Sequence, residues 1–336
     1  MAKFSMDRSA NTPILLMAYN RPQTTQRQLS RIQELSPREI RVSIDGPRNP
    51  MDVKKCHDVL KVTETWASNS PHRVSIEVSQ INLGLHKHFM RAFSRFFADN
   101  EFGIVLEDDI EFRNSFIDFV DKLNVSNEYR KYWSIQGHNP LPAASSSFEL
   151  GKEIRFERTN FHSVWGWASH SESIERMLKF ISDSSNSKVL TTSIGHGASL
   201  FTADPFLQLA IRNVWLKKLL RAQSLTEGGW DNWWVASAWL CQQESLMPTT
   251  SVTRESLSQH EGQSHLHTQS GVPWSKSQLE EIPFEKEFRK HPGSKEIELL
   301  QTWGIRRTYS WAYAPRIITQ YAKSCQKLRS SPQNAN

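Results

Sequence analysis

The stretch 103-GIVLEDDIEF-112 decides how the rest of the chain is read. A short apolar run ends in three adjacent carboxylates, Glu107, Asp108 and Asp109, and then turns apolar again. Three like charges in a row repel one another, and a low-dielectric setting makes the repulsion worse. Gly103–Leu106 has the composition of a buried strand, so the carboxylates stand at a strand tip. Two explanations fit such a tip. One is a turn whose charges are simply solvated. The other is a site where a cation neutralises them: Mg²⁺ or Mn²⁺ uses one or two carboxylates and fills its remaining positions with oxygens of a bound diphosphate.

Upstream of that tip, strand-like and helix-like segments alternate. Ile14–Tyr19 (ILLMAY), 40-IRVSI-44 and 73-RVSIEV-78 have strand character. Between and after them, Leu29, Ile32 and Leu35, then Val53, Cys56 and Leu60, then Leu85, Phe89, Ala92, Phe93 and Phe96 fall at helical spacing. A further helix carries Phe116, Phe119, Val120 and Leu123. Strands alternating with helices of this length predict βαβ units and a doubly wound, mainly parallel α/β sheet. In such sheets ligands bind beyond the carboxyl ends of the strands. The strands here end in 19-YNRP-22, 45-DGPR-48 and 107-EDD-109, which brings Arg21, Asp45 and the acidic triplet to one rim.

From about residue 130 tryptophan becomes dense, and eight of the chain's twelve lie between Trp133 and Trp239. Residues 182–188 (SDSSNSK) read as a loop and Asp204–Arg221 as an amphipathic helix. The stretch 228-GGWDNWW-234 reads as a loop opening into a helix, with Asp231 either its N-cap or a reactive carboxylate. Residues 251–273 are polar and rich in Ser, Gly and His, the composition of a long loop that serves as a lid or a connector.

The 336 residues are enough for a sizeable core, and 38% hydrophobic with 23% charged residues is ordinary for a globular protein. No run approaches the length of a membrane span, and MAKFSMDRSANTP lacks the apolar core of a secretory signal. Cys56, Cys241 and Cys325 are far apart, which argues against a disulfide framework or a structural zinc site and fits a reducing cytoplasm. The net charge of +6 is concentrated late: after Glu298 there is no acid, while Arg306, Arg307, Arg316, Lys323, Lys327 and Arg329 follow, interleaved with Trp and Tyr. That tail is either a solvated basic end or a contact with anionic lipid; no nucleic-acid motif is present.

Several blocks together resemble the GT-A glycosyltransferases, and within them the family of the inverting β-1,2-N-acetylglucosaminyltransferase I. The blocks are 14-ILLMAYNRP-22, 42-VSIDG-46, 86-HKHFMRAFSRFF-97, 105-VLEDDIEFRNSFIDF-119, 158-RTNFHSVWGW-167, 230-WDNW-233 and 262-GQSH-265, in the family's order. The resemblance implies a GT-A fold, Rossmann-like and helix-flanked, over residues 1–270: a nucleotide-sugar half (1–130) and an acceptor half with a lid loop (131–270). Residues 271–336 follow as a basic, aromatic segment with a helical tail.

By position, the resemblance implies that Asp109 ligates Mn²⁺ or Mg²⁺ bridging the diphosphate of a donor such as a UDP-sugar. Asp108 then faces the ribose or the metal's shell, and Glu107 the donor sugar's hydroxyls. Asp45 accepts from the nucleobase, Arg21 contacts phosphate or base, and His86 lines the same pocket. Asp231 is the general base that takes the acceptor hydroxyl's proton, while Asn232 stands where a second acid is common. Trp165, Trp167 and Trp230 wall the donor–acceptor cleft, with Gly166 marking a close backbone approach, although most of the tryptophans belong to the core. Ser264 and His265 reach the diphosphate as the loop closes.

The resemblance therefore implies a metal-dependent, inverting glycosyltransferase acting on a carbohydrate acceptor, of the surface-polysaccharide class. It implies a cytoplasmic setting, with the basic tail at the inner membrane. The alternatives are an inactive sugar-binding scaffold of the same fold and, third, a sugar nucleotidyltransferase. The latter is disfavoured because 20-NRPQTT-25 lacks the glycine-rich loop such enzymes carry.

Overall fold

β1 (Ile14–Ala18) is buried along its whole length, and its side chains alternate between two cores. Leu15 and Met17 enter one hydrophobic cluster, Ile14, Leu16 and Ala18 the other. A strand covered on both faces requires helices on both sides of its sheet. In this computed structural model residues 12–35, 39–140, 154–184, 186–223, 229–255 and 314–329 are described.

β2 (Glu39–Ile44), β3 (Arg73–Val78) and β4 (Phe102–Glu107) run parallel to β1 in the order β3-β2-β1-β4. Ile14 stands opposite both Ile40 and Ile104, so the carboxyl ends of β1, β2 and β4 finish level with one another. The crossovers are α1 (Pro22–Gln33), α2 (Pro50–Ser68) and α3 (Gly84–Asp99). Proline opens α1 and α2, where its missing N–H costs nothing, and the Asn49 side chain caps α2 by accepting from the N–H groups of Met51 and Asp52. α3 presses Phe89, Phe93 and Phe96 onto one face of the sheet, while Leu29 and Ile32 of α1 and Phe116 and Phe119 of α4 (Asn114–Val125) cover the other.

The second half is mixed. β8 (Trp167–His170) pairs antiparallel with β4 and with β6 (Ile135–Gln136); β9 (Ser245–Pro248) runs parallel to β6 and antiparallel to β7 (Phe156–Thr159). The result is an eight-stranded sheet, β3-β2-β1-β4-β8-β6-β9-β7, in an α/β fold compatible with a Rossmann-like arrangement. The parallel expectation fails past β4: β6 and β9 run with β4, while β8 and β7 run against it. A separate ribbon pairs β5 (Ile110–Phe112), just after the acidic triplet, with β10 (Thr253–Glu255).

α5 (Ser171–Asp183), α6 (Ser187–Phe201), α7 (Pro205–Ala222) and α8 (Trp230–Leu240) lie over the α3 face. The expected helix over 204–221 is α7, capped by Asp204, and the expected loop over 182–188 is the junction of α5 and α6. Trp133, Trp167, Trp215, Trp230, Trp233, Trp234 and Trp239 are all buried in this one cluster. α9 (Ala314–Arg329) lies against α7: Lys217 Nζ and Asn213 Nδ2 donate to Gln320 Oε1 at 2.9 and 3.3 Å, and Leu328 enters the tryptophan-rich core. Its Lys323 and Lys327 are exposed. No described helix is long and apolar enough to cross a membrane.

Gly197 shows how tightly the helical face is packed. A Cβ added there would stand 2.0 Å from the Trp239 ring. Alanine inside a helix ordinarily gains about 1 kcal/mol over glycine. Here the overlap should reverse that sign, and Gly197→Ala is expected to lower the free energy of unfolding by about 1–3 kcal/mol in a urea titration.

Candidate active site

The hydrogen-bond ladder of the sheet continues one residue past the strands. Asp45 N donates to Ala18 O at 3.1 Å, and Asp108 N to Met17 O at 2.9 Å. The residues that follow β1, β2 and β4 are therefore held in one layer, as the strand-end argument expects.

In that layer the carboxylates of Asp108 and Asp109 meet one guanidinium. Arg21 Nη1 bonds Asp109 Oδ2 closely and lies 3.4 Å from Asp108 Oδ1. Thr25 Oγ1 adds a long bond to Asp108 Oδ2, 3.4 Å. Burial opposes the charge on Arg21, but Asp108 and Asp109 outweigh it and its pKa is raised. Arg21, expected to face a ligand phosphate or base, thus serves here as counter-ion to the triplet. The turn is braced from α1 and β10. Gln28 Nε2 donates to Ile110 O at 2.7 Å, Arg31 donates to Phe112 O and covers its ring, and Arg254 Nη2 holds Glu111 at 2.8 Å.

One guanidinium does not balance three carboxylates. Burial, then the neighbouring charges of Asp109 and Asp108, push Glu107 up to about 8; burial and Asp109 also raise Asp108. Among the described residues no three His, Cys, Asp or Glu side chains are grouped as a complete metal site. What the turn offers is an all-oxygen set that already holds a cation, Arg21, which suits a hard divalent ion sharing its shell with ligand oxygens.

Asp45 is placed differently from its expected role. Its Oδ1 accepts from the N–H groups of Gly46 and Leu83 at 2.8 and 2.9 Å, its Oδ2 from Asn82 Nδ2 and Gly84 N–H, both at 3.1 Å. A carboxylate has about four acceptor positions, and all are used. In this structure Asp45 ties the start of α3 to the end of β2, and a nucleobase N–H would have to share one of those bonds. His86 follows in the first turn of α3. It is buried and held neutral by that burial, and its Nδ1 has no hydrogen-bond partner among the described residues.

Asp231 sits in the first turn of α8. The N-cap is Gly229, at φ +109°, so the carboxylate is not the cap. Trp230 beside it stacks on Phe89 at 4.7 Å and on Trp167 at 6.1 Å. Trp167 in turn is paired with Val105, two residues before Glu107, which brings Asp231 over the end of β4 close enough for its charge to act on Glu107. Asp231 is exposed to solvent, yet surrounding protein raises its pKa through lost hydration, offset in part by backbone N–H groups and Lys218. Asp231 is thus accessible to solvent and partly desolvated at once.

Two of the expected carbohydrate contacts are corrected. Trp167 and Trp230 are 1% and 3% exposed inside the aromatic core, so neither ring face is open to a sugar. Trp165 is only partly buried and remains available. The close approach expected at Gly166 is present: its φ is +70° and a Cβ would meet Thr253 at 2.8 Å and Ile110 at 3.0 Å.

That contact sets Trp165 next to the residue following Asp109 and reveals a partner unseen in the sequence. The His138 ring lies 4.6 Å from Trp165, burial pushes its pKa down to about 4, and its Nδ1 meets Ser251 Oγ at 3.3 Å. Lys218 beside Asp231 was likewise unmarked: no spacing rule links it to residue 231. Ser264, His265 and most of the expected lid lie outside the described residues, as does most of the 271–336 segment.

No protein-family model matches the chain, and no curated protein shows significant similarity to it.

The raised pKa of Glu107 has a measurable consequence. Its folded value, about 8, lies above its ordinary 4.5, so between those limits the unfolded chain releases a proton that the folded chain retains. Its contribution to stability therefore falls as pH rises from about 4.5 to 8 and is flat beyond. Glu107→Gln removes that loss. The variant is expected to match the parent at pH 4.5 and to exceed it by about 1–2 kcal/mol at pH 8.5 in paired denaturant titrations.

Proposed function

We propose that the chain is a metal-dependent, inverting glycosyltransferase of GT-A type, which moves a sugar from a nucleoside-diphosphate donor, of the UDP-sugar class, to a carbohydrate hydroxyl. The observation that carries this reading is that two unlike acidic features lie within electrostatic reach of each other. At the end of β4 lies a triplet with too little positive charge, and near it is a partly desolvated carboxylate, Asp231.

Asp109, with Asp108 beside it, would hold Mn²⁺ or Mg²⁺, which when bound supplies charge neutralisation for a departing diphosphate. The chain's own residues account for the remaining roles. Asp231 accepts the proton of the acceptor hydroxyl as that oxygen bonds to the anomeric carbon. The bond from that carbon to the diphosphate oxygen breaks with its electrons on the leaving nucleotide. Attack from the face opposite the leaving group inverts the anomeric centre. Arg21, released from part of its pairing, is placed to contact a phosphate, and Glu107 in its protonated form can donate to a sugar hydroxyl. Trp165 and His138 offer an aromatic wall for a sugar's C–H face. The same reading puts the protein in the cytoplasm, with a surface polysaccharide as the acceptor class.

A second reading, an inactive sugar-binding protein of the same fold, is favoured by one observation: the Arg21 guanidinium already occupies Asp109. The two separate in a single comparison. In the transferase reading Asp231→Asn lowers transfer roughly 10³-fold while donor affinity, measured by thermal shift with UDP-sugars and Mn²⁺, is preserved. Equal activity in parent and variant would remove Asp231 from the chemistry. Stabilisation by a UDP-sugar should also require Mn²⁺ and vanish in Asp109→Asn; stabilisation that ignores both would refute the metal assignment.

A further inference from the structure

Seven large hydrophobic side chains are exposed among the described residues, and five of them lie on two short segments: Met51, Val53, Val78, Ile81 and Leu85. Scattered exposure of single apolar groups is normal, whereas a contiguous set is not. The loop that leads from β2 to Met51 touches the second segment. A Cβ on Gly46 would stand 2.4 Å from the Ile81 carbonyl carbon, Asn82 Nδ2 donates to Gly46 O at 2.8 Å, and the Asp45 carboxylate binds the N–H groups of Leu83 and Gly84. Met51, Ile81 and Leu85 are 86%, 68% and 52% exposed. They stand on a helix start and a connecting loop past the ends of β2 and β3, the same edge of the sheet that carries the acidic triplet.

The fully exposed charges nearest them are basic, with Asp58 and Glu77 half-buried beyond. Lys54, Lys55 and Lys87 are exposed, and among the described residues none of them pairs with a carboxylate. Lys54 and Lys55 follow Met51 by three and four residues and so share its side of α2. Between Gly46 and His57, and between Val78 and Arg91, the sequence has a single acid, Asp52. That acid is buried and accepts from Tyr19 Oη, Asn20 Nδ2 and Asn49 Nδ2 at 2.8, 2.8 and 3.1 Å.

We propose that this rim is a membrane-docking surface that recognises anionic lipid. Apolar side chains on protruding turns enter the boundary between headgroups and acyl chains, and the flanking lysines meet the negative surface. Lipid is favoured as the occupant because the exposed lysines beside the apolar side chains lack carboxylate partners among the described residues. The surface is distinct from the basic tail, whose α9 lies against α7, and it does not depend on the transferase reading.

The test is flotation of the full chain with vesicles of phosphatidylcholine alone or with about one third phosphatidylglycerol. Association with the anionic vesicles only, weakened by added salt, is expected. Ile81→Asp with Leu85→Asp should reduce binding about tenfold or more, and so should Lys54→Glu with Lys55→Glu. All four side chains are exposed, so circular dichroism should report an unchanged fold. The proposal is overturned if the parent does not float with anionic vesicles. It also fails if both variants float as the parent does while Lys323→Glu with Lys327→Glu does not, which would assign binding to α9. A dimer in light scattering that Ile81→Asp disperses would instead make the rim a self-interface.

Discussion

The site depends on one electrostatic arrangement: a single guanidinium, Arg21, set between two carboxylates of a three-carboxylate turn. Left alone, such a turn would relax outward until water screened its charges. It cannot relax, because β4 is pinned to β1 up to Asp108, α1 holds the carbonyls of Ile110 and Phe112, and Arg254 holds Glu111. Pro22 starts α1 directly after Arg21, so the helix that braces the turn also fixes the base of the cation's side chain. Three carboxylates against one guanidinium leave a deficit of positive charge, and in a site of low hydration that deficit appears as proton retention by Glu107 and Asp108. In the proposed reading a divalent ion makes up the same deficit.

The tryptophan-rich layer fixes the helix that carries Asp231. Trp230 is clamped between Phe89 of α3, which packs on the sheet, and Trp167 of β8, the strand paired with β4. Large rings with few rotamers hold α8 at a set height above the strand ends, and Asp231 moves only if that layer moves. The indole N–H groups of Trp133, Trp233 and Trp234 have no hydrogen-bond partners among the described residues. The core therefore accepts a polar cost for its volume, which fits a role in holding geometry. Two corrections follow from the same fact. Trp167 and Trp230 support Asp231 from within the core, and the ring left partly open is Trp165, held against His138 by the Gly137–Gly166 approach.

The first four strands were legible because each is an apolar run between helical periods, and residues that follow a strand in a parallel sheet must fall on one rim. That is why Arg21, Asp45 and the triplet were found together. What the rim residues do to one another was not legible. Whether Asp45 is free or saturated depends on where the 81–84 loop crosses it, and no local spacing encodes that crossing. The same holds for His138 and Lys218, which meet Trp165 and Asp231 only through pairings of β6 and packing of α7 that are distant in sequence. Tryptophan burial was ambiguous for a similar reason: a motif fixes which residues neighbour each other, while the sheet order decides which of them faces solvent.

The chain contains its own comparison between a carboxylate used for structure and one kept for something else. Asp45 and Asp52 lie on the same rim as the triplet, and both are saturated: Asp45 by four donors, Asp52 by side chains of Tyr19, Asn20 and Asn49 with Arg48 at 3.4 Å. Where this fold needs an acid to hold a loop or a helix start, it surrounds that acid with hydrogen-bond donors. The triplet and Asp231 are treated otherwise. Glu107 has no donor among the described residues, and Asp109 has only the guanidinium it shares with Asp108. Asp108 adds a long bond from Thr25 and the backbone N–H of Tyr19, and Asp231 has backbone N–H groups and the charge of Lys218. Partly desolvated acids left short of donors cost stability that a purely structural role would not require. The contrast among acids on one rim, more than the number of acids there, is what argues for chemistry at the end of β4.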